Sequence, residues 1–208
     1  MRDAIPGLAK LSEAIAGLSA KRTLPNWRGD AFDVRTQHAG PTDGTPVVIL
    51  ADTFNTYFEP ENLIAATRVL ASAGYRVEFA KAPKGERPLC CGRTFLAAGL
   101  VDEARAEATR TIEALKPHVE AGTPIIGLEP SCLLTLRDEF SAMLPGSDSE
   151  ALARQAMLFE EFIAQEADAG RLNLNLQPTP QKRALLHGHC HQKAFAVMGS
   201  VEKTLRLV

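Results

Sequence analysis

The run Pro46-Val47-Val48-Ile49-Leu50-Ala51 constrains this chain more than any other stretch. It is apolar at consecutive positions, so both of its faces need cover, as in the interior of a parallel sheet. Asp52-Thr53-Phe54-Asn55-Thr56 follows, and then Glu59, Pro60 and Glu61, which favour a helix start. Leu63, Ile64, Val69 and Leu70 supply the core face of that helix, and Gly74 stops it. Tyr75 to Phe79 reads as the next strand and completes a βαβ unit.

The alternation continues. A helix is predicted from Asp102 to Val119, with Ala104, Ala108, Ile112 and Leu115 on one side, and a buried strand over Pro124 to Leu128. That strand runs into Glu129-Pro130-Ser131-Cys132 and a helix whose inner face holds Leu133, Leu136, Phe140 and Met143. Strand, helix, strand, helix predicts an α/β fold: a parallel sheet with helices on both faces, in Rossmann-like βαβ units. Past Pro145-Gly146, Ser147 and Glu150 have capping-box spacing for a helix reaching Ala169. Leu172, Leu174 and Leu176 alternate with polar residues as in a half-exposed strand, Ala184 to His187 reads as a last strand, and Phe195 to Leu207 as a last helix. At the other end, Asp3 to Ser19 has helical apolar spacing, while Lys21 to Thr42 has no period. The expected organisation is an N-terminal helix and connector over 1–42, a first α/β repeat over 43–145, and the helix, strand and helix of a truncated second repeat over 146–208.

Composition narrows the function. A net charge of -2 among 208 residues leaves no basic footprint for nucleic acid and no polybasic membrane patch. No apolar run approaches the length of a transmembrane helix, and the N-terminus lacks the pattern of a secretory signal, so a cytoplasmic location is expected. Four cysteines, two of them adjacent, do not suggest a stabilising disulfide framework and lean towards metal or redox work.

Those adjacent cysteines stand in Arg87-Pro88-Leu89-Cys90-Cys91-Gly92-Arg93-Thr94. Neighbouring side chains in an extended strand diverge, so two thiols converge only if the backbone bends, which Gly92 permits. A helix opening near Thr94 places both thiols just outside a positive helix end, where thiolate is favoured. In an open parallel sheet the loops after the strands share one edge. Asp52, Glu129 with Cys132, and His189 with Cys190 each follow a predicted strand, and Cys90 and Cys91 lie in a longer loop of the same kind. Four thiolates with imidazole and carboxylate nearby suit iron–sulfur or zinc. A plainer account stands beside this one: Cys132 is a small buried apolar residue, and Arg93 and Lys193 are solvated cations. His187, His189 and His191 share a parity that a strand would present on one face with Cys190 opposite, either towards zinc or as bonds to backbone.

Cys90-Cys91-Gly92 followed by Pro130-Ser131-Cys132 resembles the cysteine-rich CCG domain of the B subunit of heterodisulfide reductase and of the iron–sulfur subunits of glycolate oxidase and anaerobic glycerol-3-phosphate dehydrogenase. The segments 51–60, 128–139 and 187–194 resemble more narrowly the C-terminal region of fused FAD-linked oxidases. The resemblance implies one complete repeat and the start of a second, with Cys90, Cys91, Cys132 and Cys190 as iron–sulfur ligands. Gly92, Arg93, His189 and His191 would support them. It implies FAD on a separate domain or polypeptide, a ferredoxin-like module as partner, and electron transfer from a 2-hydroxyacid such as lactate or glycolate. No catalytic residue is expected in this stretch. Two positions depart from the family pattern: Asp52 and Glu129 stand where that pattern has cysteine. These departures support an alternative, a scaffold or docking domain of the same complex without a bound cluster.

Overall fold

The computed structural model describes residues 5–181 and 183–208. In chain order the elements are α1 (Leu8–Ala16), β1 (Thr45–Ile49), α2 (Thr53–Tyr57), α3 (Pro60–Ser72), β2 (Tyr75–Phe79), α4 (Arg93–Ala97), α5 (Val101–Glu120) and β3 (Ile125–Gly127). There follow α6 (Pro130–Arg137), α7 (Glu139–Met143), α8 (Ser147–Gln155), β4 (Ala156–Leu158), α9 (Phe159–Asp168), α10 (Cys190–Ala194) and α11 (Met198–Leu205). Asp3 and Ala4, where the expected first helix begins, lie outside the described residues.

Among the described residues the strands form one parallel sheet in the order β2-β1-β3-β4, with Val47 opposite Val77, Val48 opposite Ile125 and Ile126 opposite Met157. The chain leaves β1 towards β2 on one side and returns past it to β3 on the other. This reversal of winding sends successive crossovers to opposite faces. Val48, Leu50 and Ile125 point into a cluster with Ala108 and Leu115 of α5, Leu133, Leu134 and Leu136 of α6, and Leu152 of α8. Val47, Ile49, Val77 and Ile126 point the other way, onto Leu63 and Leu70 of α3 and Phe162 and Ile163 of α9. Consecutive residues of β1 thus serve opposite cores, which is why that run is apolar throughout. The fold is α/β, with helices on both faces of a parallel sheet.

Several expectations are corrected. The single helix expected from Ser147 to Ala169 is three elements, because Ala156 and Leu158 turn inward as β4 and extend the sheet beyond β3. Gly146, not Ser147, is the N-cap of α8, so the capping box is absent; Ser149 Oγ instead donates to the carbonyls of Leu144 and Gly146. Leu172 and Leu174 pack on the core without strand pairing, and Ala184–His187 pairs with no strand among the described residues, leaving Leu185 fully exposed. The last helix, expected from Phe195 to Leu207, is the shorter α11, and an unexpected short helix, α10, precedes it with Ala196 at a φ of 56° between them. The connector before β1 also contributes to the core: Phe32 is buried against Phe79, with ring centroids 5.0 Å apart, and Ala39 bridges antiparallel to Val77. α1, by contrast, buries none of its residues.

Phe140 of α7 is fully buried in the cluster beneath β1 and β3. Phe140→Ala removes its ring from a packed interior and is expected to cost about 3–5 kcal/mol. Urea unfolding should show this as a lowered midpoint at unchanged slope.

Candidate functional site

The reversal at β1 sets the carboxyl ends of β1 and β3 side by side, and each runs into a carboxylate. Asp52 caps α2: its Oδ1 accepts from the backbone N–H groups of Phe54 (2.9 Å) and Asn55 (3.0 Å), and its Oδ2 accepts from Asn55 Nδ2 (2.7 Å). Asn55 is itself held, since its Oδ1 accepts from Asn62 Nδ2 at 2.9 Å. Burial pushes the Asp52 carboxyl up from its ordinary value; its hydrogen bonds with Asn55 oppose that, and the charge of Glu129 adds to it. Glu129 caps α6 in the same way, its Oε1 accepting from Ser131 N at 3.1 Å and Ser131 Oγ at 2.5 Å, with Pro130 supplying the first helical residue. Both carboxylates are therefore engaged with the helix that starts beside them.

The Cys-Cys-Gly turn is held from behind by α5. Gly92 adopts a φ of 72° as the N-cap of α4, and a Cβ there would sit 3.1 Å from the Ala104 carbonyl oxygen, so the turn packs directly on α5. Thr111 Oγ1 donates to the Cys90 carbonyl (3.0 Å), and Arg110 Nη2 donates to the Arg87 carbonyl (2.7 Å). Glu107, with no exposed surface, accepts from Arg110 Nη1 at 2.9 Å and also pairs with Arg87. A carboxylate with no exposed surface is costly unless it is paired, and here the pairing ties α5 to the loop that carries the thiols.

Gly92 N–H also donates to Cys90 Sγ at 3.4 Å. Cys91 is buried in the core beneath β1 and β3, and half-buried Cys132, in the first turn of α6, packs against that core. Cys91 lies close enough to Cys90 and to Cys132 for each to shift its titration, so three free thiols from two distant stretches neighbour one another. The neighbouring Cys132 raises the Cys91 thiol most, Cys90 opposes it and burial adds to the rise, leaving it pushed up to about 12. The neighbouring Cys91, then burial, raises Cys90 as well.

The histidines differ from their expected arrangement. His189 and His191 do not lie on a strand: His189 is the N-cap of α10, its Nδ1 accepting from His191 N (3.1 Å) and its N–H donating to Gln192 Oε1 (3.0 Å). The two rings stack with centroids 5.1 Å apart, while Cys190, the first residue of α10, is exposed. Arg93 pairs with Glu139 and lies 3.1 Å, Nη2 to Nε2, from His191. A guanidinium only donates, so His191 Nε2 is the acceptor and the ring is neutral with its proton on Nδ1, a buried atom without a hydrogen-bond partner. Burial first, then the charge of Arg93, holds His191 below its ordinary value.

The structure thus gathers Asp52, Cys90, Cys91, Gly92, Arg93, Glu129, Cys132 and His191 along the carboxyl edge of the sheet, and no hydrogen bond joins Cys190 to the other three sulfurs. Glu107, Arg87, Arg110 and Thr111, which hold the turn, did not stand out in the sequence. Glu107 nevertheless falls on the inward stripe with Ala104, Ala108 and Thr111, where an acidic residue signals a buried partner.

Among the described residues no three His, Cys, Asp or Glu side chains are arranged to hold a metal ion. A cubane iron–sulfur cluster takes four thiolates. Here Asp52 and Glu129 are hydrogen-bonded helix caps, and the neighbouring free thiols, Cys90, Cys91 and Cys132, are three. The residues present do not fit such a cluster. No described helix is long and apolar enough to cross a membrane.

Over 205 residues, 96% of its length, the chain is 28% identical to the C subunit of the anaerobic glycerol-3-phosphate dehydrogenase of Escherichia coli K12, and equally to that of Escherichia coli O157:H7. It spans about half, 48%, of the length of these curated relatives. No family model and no solved structure matches the chain.

Asp52→Ala removes three hydrogen bonds at the start of α2 and is expected to cost about 1–2 kcal/mol, measured by urea unfolding. His191 is held neutral, so its contribution to stability is present above the free-imidazole value of 6.5 and is lost as pH falls through its lower value in the folded chain. A ring-proton NMR titration should place its midpoint below 6.5, and Arg93→Gln should move that midpoint upward.

Proposed function

We propose that this chain is part of a subunit of an electron-transferring oxidoreductase. In this reading its α/β unit is a scaffold and docking half with no iron–sulfur cluster of its own. The observation that carries the proposal is the capping role of Asp52 and Glu129 beside three free thiols. The fold and the neighbouring thiols fit a cysteine-rich domain, but the ligand set is incomplete. Similarity to one component of a dehydrogenase over nearly the whole chain supports the oxidoreductase context.

Electron carriers then belong to other parts of the protein or complex: FAD on one module and iron–sulfur centres on a ferredoxin-like module. The reductant is a small hydroxylated metabolite, either a 2-hydroxyacid of the lactate or glycolate type or the glycerol 3-phosphate named for the relatives. A docking role is supported by an aromatic group beside the Asp52 turn. There Trp27 packs against Tyr57 and Phe58 with ring centroids 5.3 and 4.8 Å apart, while Trp27 and Phe54 remain 69% and 51% exposed.

A second reading is favoured by one observation, the meeting of three thiols. In it Cys90, Cys91, Cys132 and Cys190 hold a cluster after rearrangement of α10, and the domain itself carries electrons.

Anaerobic reconstitution with iron and sulfide separates the two. The chain as it stands is expected to return from desalting without iron and without a visible charge-transfer band. The Asp52→Cys/Glu129→Cys double variant, with five thiols at the edge, is expected to retain both. Stoichiometric iron and sulfide on the unaltered chain would overturn the scaffold reading.

A further inference from the structure

We propose that the aromatic turn at α2 docks a basic segment of a partner polypeptide, an arginine guanidinium stacking on the open face of Trp27 while its fork meets the carboxylates at the rim. This deepens the docking reading above by giving the partner's chemistry, and it holds whether or not the chain binds iron.

The patch is fixed before any partner arrives. Arg28 N–H donates to the Tyr57 carbonyl (2.9 Å) and Phe32 N–H to the Thr56 carbonyl (3.0 Å), so the connector before β1 is tied to the end of α2. Trp27 is thereby laid on Tyr57 and Phe58, and the ring of Phe54 lies 6.3 Å from that of Phe58. Phe32, from the same connector, is buried, whereas Trp27 and Phe54 keep most or half of their surface in water. Rings held in place but left uncovered supply apolar contact at little cost in conformational entropy.

Charge selects the occupant. Asp30, Glu59 and Glu61 are all exposed, and each is tied to this turn. Glu59 follows Phe58, and its N–H donates to the Phe54 carbonyl (3.0 Å), while its Oε2 accepts from Asn62 Nδ2 (3.0 Å). Asp30 and Glu61 share the Arg28 guanidinium, at 2.8 and 3.3 Å. Three carboxylates against that one guanidinium leave the rim two charges negative, and Arg35, further along the connector, is engaged by Asp33 at 2.9 Å. An isologous pair of copies meeting here would set these carboxylates against their own images, and an anionic bilayer or a nucleic acid would meet the same repulsion. A cationic polypeptide segment is the complement. Arginine suits it better than lysine, because a planar guanidinium stacks on a ring and still presents N–H groups to carboxylates.

Trp27 is the chain's single tryptophan, so its fluorescence reports this patch alone. The probe is an acetylated, amidated octapeptide of alternating arginine and leucine; the control carries citrulline for arginine, the same shape without the charge. The arginine peptide should change Trp27 emission saturably, and the citrulline peptide should bind at least about fivefold more weakly. Glu59→Gln/Glu61→Gln, both at exposed positions, should weaken the arginine peptide by about fivefold or more and remove most of its salt dependence. Phe54→Ala, which keeps the reporter, should weaken it as well, with circular dichroism unchanged. No saturable response, equal binding of the two peptides, or indifference to the carboxylate variant would overturn the proposal. So would a blue shift with neutral phosphatidylcholine vesicles, which would assign the patch to a lipid surface. A sedimenting dimer that Phe54→Ala dissolves would assign it to a second copy and overturn the proposal too. Iron reconstitution decides the scaffold reading by a separate readout, so either conclusion can fail without the other.

Discussion

A sheet covered on both faces, with its winding reversed at β1, is the constraint on which everything else depends. Val47 and Ile49 belong to one core and Val48 and Leu50 to the other, so the run Val47 to Leu50 has no face left for a polar residue. Because crossovers are right-handed, that reversal forces the loops after β1 and β3 together at one edge. Asp52 and Glu129, 77 residues apart in sequence, are close enough there for the charge of one to raise the carboxyl of the other.

The polar interactions at that edge do two different jobs. Asp52 and Glu129 start helices, satisfying backbone N–H groups that would otherwise have no partner. Glu107, Arg87, Arg110 and Thr111 fasten a loop with no secondary structure of its own to the back of α5. Cys90 and Cys91 therefore sit on a turn held by an ion pair to a buried carboxylate and by a hydroxyl.

Much of this was legible in the sequence, for particular reasons. β1, β2 and β3 are apolar or alternating runs bounded by turn residues, and α3 and α5 carry clear helical periods, so the βαβ order could be read directly. β4 could not: its three residues, Ala156 to Leu158, lie between two helical patterns and are too short to show a period of two. Ala184 to His187 failed in the opposite way, since a strand-like run becomes a strand only where an edge is available to pair with it. The convergence of Cys90, Cys91 and Cys132 was legible because topology alone brings loops to one rim. The capping roles of Asp52 and Glu129 have sequence signals too, an Asp at the start of a helix and a Glu directly before a proline, but a ligand position at a strand end carries the same signals.

By itself the sequence determined the fold class, the edge at which the reactive side chains gather, and the identity of the thiols, because each follows from local patterning and the handedness of crossovers. Only the tertiary structure decided how those side chains are used. Whether a carboxylate caps a helix, whether a histidine stands on a strand or at a helix start, and which thiols are neighbours all depend on distances of a few ångströms between segments far apart in the chain. Hydrogen bonds and sulfur contacts fall off within that range, and no spacing along the sequence encodes it.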